Sequence, residues 1–117
     1  MADRPAHSES EIEARRQAVT LATEMLAGRL SYFEGASQMC ALRSEVGGLG
    51  DRDSDFDAFV VIESETDYLP LEEQRARWSP SALERLAPEF ERTEEWAAAF
   101  APDACKRIIA RFGEHGS

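Results

Sequence analysis

The residues with the clearest potential for chemistry are carboxylates concentrated in one segment, residues 51–73. This segment holds nine acidic residues and one basic residue, Arg52, so it carries −8 of the formal net charge of −10. The rest of the chain therefore sums to −2. Two interpretations are open. The segment is either a solvated surface that keeps the chain dissolved, or an anionic face that docks on a basic partner and speeds their encounter.

We predict that such a docking face combines carboxylates of this segment with two aromatic anchors. Its residues are Asp53, Asp55, Asp57, Glu63, Glu65, Asp67, Tyr68 and Trp78. Trp78 is flanked by Arg75 and Arg77, and tryptophan and arginine are enriched at interface hot spots. Alternatively, Trp78 seals the core and the two arginines pair with the acidic segment. Whether residues 64–70 are functional or only a structural turn stays open.

The aspartates at the start of the segment alternate along the chain, as the first ligands of a calcium-binding EF-hand loop do. The sixth position of that loop would be Phe56, where glycine is needed, and the twelfth would be Ile62, where a bidentate glutamate is needed. The pattern therefore does not predict an EF-hand. A small-ligand or divalent-metal binding domain that uses carboxylates of residues 51–73 stays the alternative function.

No combination of residues indicates catalysis. Acid–base catalysis needs carboxyl groups whose pKa values are shifted in a pocket, and the sequence indicates neither. The glycines at 47–50 lack the neighbouring lysine of a phosphate-binding loop. His7 and His115 lie near the chain ends, so neither is a convincing base for Cys40 or Cys105. We predict a non-catalytic protein with no catalytic residue, no metal ligand and no cofactor.

Length and composition set the class of protein and of partner. A chain of 117 residues that is 43% hydrophobic suits one domain with its own core. The absence of a leader pattern or a long apolar run, and the two cysteines, predict a cytoplasmic protein with reduced thiols. The acidic balance argues against nucleic acid and favours a basic protein partner; a membrane partner is not expected. The oligomeric state is open, with a homo-oligomer as a third interpretation.

Helical periodicity organises the first half of the chain. It predicts a helix over about 9–27 that ends at Gly28, and a second over about 31–46 that begins with a capping box at Ser31. The apolar positions assigned to the first helix are Ile12, Val19, Ala22, Met25 and Leu26, and the solvent positions are Glu11, Arg15, Arg16 and Glu24. The short connection predicts that the two helices form an antiparallel hairpin.

Residues 56–62 are ambiguous, because their composition suits a strand while their spacing suits a helix capped by Asp53 or Ser54. We favour the helix, since no second strand is available as a partner. Ser79 followed by proline predicts another helix start. Pro88 and Pro102 either both open separate helices or both kink one long helix. Cys40, Trp96 and Cys105 are assigned to the core.

The sequence thus predicts an all-α fold of four to five helices in a small bundle. A lead-in over residues 1–8, a single domain over 9–113 and a tail over 114–117 complete the predicted organisation. The stretches LAGRLSYFEGASQMCALRSEVG and AFVVIESETDYLPLEEQRARWSPSALERL resemble a family of small uncharacterised bacterial proteins, which share a SETD-x-LP loop followed by a tryptophan and a helix. This resemblance implies a bacterial, cytosolic origin and no specific activity. In size, charge and helix content the chain is also similar to acidic helical immunity proteins.

Overall fold

The computed structural model describes residues 9–47 and 53–113, and within them it contains helices and no strand. The elements are α1 (Glu9–Leu26), α2 (Tyr32–Leu42), α3 (Ser54–Glu65), a 3₁₀-helix (Glu72–Arg77), α4 (Pro80–Ala97) and α5 (Ala101–Gly113). The prediction of an all-α chain is confirmed for these residues, with the 3₁₀-helix as an addition to five α-helices. The predicted lead-in (1–8) and tail (114–117) lie outside the described residues.

Three helices begin at N-cap residues that the sequence indicated. In each case a side-chain oxygen accepts hydrogen bonds from backbone amides of the first turn: Ser31 from Glu34 (3.0 Å), Asp53 from Asp55 (3.0 Å) and Phe56 (3.3 Å), and Ser79 from Ala82 (3.2 Å). These amides have no partner inside the helix, so the caps define where each helix starts. Residues 56–62 are therefore helical.

One core joins residues of all five α-helices, and its most extensive helix contact is between α1 and α5, where small side chains on α1 meet larger ones on α5. The buried positions of α1 are Ala14, Ala18, Ala22 and Met25, and those of α5 include Cys105, Ile108 and Phe112. The assignment of Ile12 and Leu26 to the buried side was wrong, because both are exposed. The alanines of α1 let the two helices approach closely, and the bulkier Ile12 and Leu26 lie at the edge of this contact.

The chain leaves α2 at Leu42 rather than at residue 46 and continues through turns to Val46, which is buried. Arg15 holds this turn: its Nε donates to the Val46 carbonyl (2.6 Å) and its Nη2 to that of Gly47 (3.0 Å). Its guanidinium also lies 5.0 Å from the centre of the Phe112 ring. Placing Arg15 on the solvent side was wrong, because turn carbonyls and an aromatic ring compensate its half-buried charge.

The two C-terminal prolines have different roles, so neither alternative drawn from the sequence was right. Pro88 lies inside α4, whereas Pro102 is the second residue of α5, where a missing amide costs little. The main helical neighbour of α4 is α2. Only Thr93 and Ala97 of α4 are buried, so most of this helix borders the surface.

Both cysteines are packed as small apolar residues. Cys105 is buried and Cys40 half-buried, and neither forms a disulfide. Burial raises the pKa of the Cys105 thiol to about 11. Burial, followed by the nearby Glu63 carboxylate, raises the pKa of Cys40 to about 12. Both thiols therefore stay protonated at neutral pH and are poor nucleophiles. Among the described helices, none is long and apolar enough to cross a bilayer.

Candidate functional site

The structure distributes the eight predicted docking residues over several places instead of one face. Asp53 and Asp55 lie at the start of α3, where they face α5. Glu63 and Asp67 line a cleft at the other end of α3, and Asp57 lines a shallow furrow between α3 and α4. Tyr68 forms a hydrogen bond with α4, and Trp78 follows the 3₁₀-helix. Each environment gives its residue a different role.

The first pair of carboxylates joins α3 to α5. Arg107 Nε lies 2.7 Å from Asp55 Oδ1, and Arg111 Nη1 lies 2.8 Å from Asp53 Oδ2 and 3.2 Å from Asp55 Oδ2. Burial alone would raise the pKa of Asp53, but the hydrogen bond and charge of Arg111 and the two cap amides outweigh it, so the pKa is lowered. These carboxylates have partners within the fold, which sequence composition did not reveal.

Glu63 and Asp67 lie at a cleft of about 360 Å³ between α2 and the end of α3. Apolar side chains of Phe33, Leu69 and Leu71 form part of its lining. The described residues contain no group of three or more histidine, cysteine or acidic side chains that could hold a metal ion. The cleft therefore places two carboxylates beside an apolar lining.

Residues 65–73 run from the last residue of α3 to the first turn of the 3₁₀-helix, and we call this ordered stretch the acidic loop. Leu69 and Pro70 within it are buried, and the Glu72 amide donates to Glu34 Oε2 on α2 (2.8 Å). Its four carboxylates are exposed and have no ion pair within the described part of the chain: Glu65, Asp67, Glu72 and Glu73. The loop thus presents unneutralised negative charge from a fixed backbone.

The arginines beside Trp78 do not pair with this loop's carboxylates. Arg75 lies 3.7 Å from Glu34 of α2, and its guanidinium lies 4.5 Å from the centre of the Phe90 ring. Trp78 itself is 40% exposed and belongs to no helix. Trp78 is therefore a partly exposed aromatic side chain that follows the last residue of the acidic loop, Glu73, by five positions. Its role as an anchor stays a prediction.

An apolar furrow between α3 and α4 was missed by the sequence reasoning. Val61 on α3 and Trp96 and Phe100 near the end of α4 line it, with a volume of about 400 Å³. The rings of Trp96 and Phe100 meet edge to face at 5.1 Å between centroids. Assigning Trp96 to the core was wrong, because it is 40% exposed. The buried residues of α4 are Thr93 and Ala97, and Trp96 points to one side of their line.

Tyr68 also contacts α4, because its hydroxyl donates to Glu89 Oε1 at 2.9 Å. We call the surface lined by Val61, Trp96 and Phe100 the α3–α4 furrow. It adjoins the acidic loop at Glu65, which lies on α3 one helical turn after Val61.

No family model matches this sequence, and no curated protein and no solved structure matches it. The resemblance to the bacterial family with the SETD-x-LP loop therefore stays a prediction. Any functional proposal depends on the geometry and charge of the residues described above.

Proposed function

We propose that this chain is a non-catalytic, acidic protein-binding module of the inhibitor or immunity type, which docks on a basic protein through the acidic loop. The observation that carries this proposal is the set of four exposed carboxylates within residues 65–73 that have no ion pair among the described residues. Concentrated negative charge raises the rate of encounter with a positive surface and disfavours nucleic acid.

The order of the loop supports a docking role over simple solvation. Buried Leu69 and Pro70 and the hydrogen bond between Glu34 and the Glu72 amide hold its backbone in the free protein. A surface that is already ordered loses less conformational entropy on binding than a mobile one. Asp53 and Asp55 are left out of the proposed face because Arg107 and Arg111 neutralise them.

The test compares two variants of equal net charge. The loop-neutral variant replaces four carboxylates by their amides: Glu65→Gln, Asp67→Asn, Glu72→Gln and Glu73→Gln. The control variant does the same at four exposed glutamates elsewhere: Glu9→Gln, Glu45→Gln, Glu84→Gln and Glu91→Gln. Both lower the net charge from −10 to −6. Any difference between them therefore reports the position of the charges.

The tagged wild type is used to capture partners from lysate of the source organism at about 50 and 500 mM salt, between which the screening length falls about threefold. We expect a stoichiometric basic protein at low salt, with an association rate that falls in the loop-neutral variant and is kept in the control. Equal association rates for the two variants would contradict the proposed face.

The second candidate function is binding of a small cationic ligand in the cleft, which is favoured by the position of Glu63 and Asp67 over an apolar lining. A ligand that binds the folded state raises the melting temperature. Thermal melts with calcium, magnesium, manganese and a series of small amines test this. A stabilisation that Glu63→Gln removes would support the ligand function, and unchanged melts throughout would exclude these ligands.

A further inference from the structure

We infer that the α3–α4 furrow receives an apolar side chain from a basic segment of the protein partner. This deepens the proposed function, because it rests on the same basic partner and adds an apolar anchor point beside the acidic loop. The observations that carry it are the composition of the furrow floor and the charges along its rim.

The floor combines an exposed aliphatic side chain with an exposed aromatic pair. Val61 is 41% exposed and Trp96 is 40% exposed, and Phe100 packs edge to face against Trp96. Exposed large apolar groups that are contiguous, unlike single ones, mark interaction sites. Tryptophan is the residue type most enriched at hot spots, where it fills or forms a desolvated pocket.

The rim of the furrow is acidic. Asp57 lies in its lining, Glu65 follows Val61 by one helical turn, and Glu95 and Asp103 are close in sequence to Trp96 and Phe100. Among the described basic residues nearby in sequence, Arg92 pairs with Glu89 and Arg107 with Asp55, so these four carboxylates outnumber the exposed Lys106. The matching segment therefore carries lysine or arginine on both sides of an apolar residue.

The same charges argue against a second copy of this chain as the occupant. A two-fold contact places the same surface on both sides of the interface, so the acidic rims would face each other. Like charges that face each other across an interface are unfavourable, and each copy carries a net charge of −10. A basic segment removes this repulsion.

The experiment titrates the full-length protein with three synthetic peptides: one phenylalanine between pairs of lysines, one serine in the same place, and the phenylalanine between pairs of glutamates. The indole N–H signals of the two tryptophans are followed by NMR. Trp78 is an internal control because it is as exposed as Trp96. We expect the lysine–phenylalanine peptide to shift Trp96 and not Trp78, and to bind about tenfold more tightly than the serine peptide. The glutamate peptide should not bind.

A matched pair of variants tests the floor directly. Val61→Lys places a cation in the furrow, and Ile12→Lys makes the same change at an equally exposed position of α1 (42% against 41%). We expect Val61→Lys to weaken binding of the lysine–phenylalanine peptide about tenfold and Ile12→Lys to change it less than about twofold. Equal affinities for both variants would overturn the inference. So would a Trp96 signal that changes on dilution of the free protein and ignores the peptides, which would indicate self-association.

The loop-neutral variant separates this inference from the function on which it rests. If that variant loses affinity while Val61→Lys does not, the acidic loop binds basic segments and the furrow is refuted. If Val61→Lys loses affinity while the loop-neutral variant does not, the furrow is supported and the acidic loop is refuted as the docking face. Loss in both variants supports one continuous surface.

Discussion

Replacing Arg111 by methionine tests whether the ion cluster between α3 and α5 stabilises the fold. Arg111 contacts both Asp53 and Asp55, whose side chains are only 12% and 13% exposed, while its own is 34% exposed. Breaking a fully buried pair costs about 3–5 kcal/mol and breaking an exposed pair about 0–1 kcal/mol. We therefore expect Arg111→Met to lower the free energy of unfolding by about 2 kcal/mol at neutral pH. Methionine keeps an apolar stem beside Phe112.

The loss should depend on pH in a defined direction. Although burial opposes it, the interaction with Arg111 lowers the pKa of Asp53 in the folded state below its unfolded value. A carboxyl group with a lowered folded pKa contributes stability above the unfolded pKa, and this contribution disappears as the pH falls through the folded pKa. The stability gap between wild type and Arg111→Met should therefore be complete at neutral pH and narrow below about pH 4, the unfolded value for aspartate.

Urea unfolding followed by circular dichroism measures both quantities. Arg16→Met is the matched control, because Arg16 pairs with Glu13 at an exposed site and its loss should cost less than about 0.5 kcal/mol. A loss for Arg111→Met as small as that of the control at neutral pH would refute the stabilising role. An equally large loss at neutral pH and at about pH 3 would refute its electrostatic origin and point to packing instead.

Two further substitutions and one thiol-labelling experiment test other contacts. Glu94→Ala removes the α4 carboxylate that accepts hydrogen bonds from the first two backbone amides of α2. We expect it to lower the free energy of unfolding, measured by urea titration, by about 1–3 kcal/mol. Gly35→Ala drives a methyl group into the buried Met25 side chain, and this overpacking costs about 1–3 kcal/mol. Because alanine is favoured over glycine inside a helix by about 1 kcal/mol, we expect a net loss of about 0–2 kcal/mol in the same assay. Cys40 and Cys105, whose pKa values are about 12 and about 11, should react with a thiol reagent far more slowly in the native protein than in urea.

The parts of the fold that were predictable depend on neighbours in sequence. Ser31, Asp53 and Ser79 each cap amides two or three residues away, so the signal and its structural consequence lie in one short window. The same holds for Gly28, whose φ of 79° ends the turn after α1. The helical state of residues 56–62 follows from the Asp53 cap and the absence of a partner strand.

The parts that were missed depend on contacts between distant residues. Glu94 caps α2 from 61 and 62 residues away, and Arg15 reaches a turn 31 residues away. Trp96 is of a residue type common in cores, but the packing of α4 buries Thr93 and Ala97 and leaves Trp96 at the surface. Periodicity shows which residues share one side of a helix. Which side is buried depends on the neighbouring helix, and this sequence does not identify that neighbour.

The acidic segment shows how far charge composition can predict a site. Residues 51–73 carry −8, yet two of the carboxylates are engaged by Arg107 and Arg111, which lie more than 50 residues further along the chain. The unpaired charge of this segment is therefore smaller than its composition indicates. Because Glu65 of the acidic loop lies one helical turn after Val61 of the α3–α4 furrow, one segment that is both basic and apolar would fit the proposed docking surface as a whole.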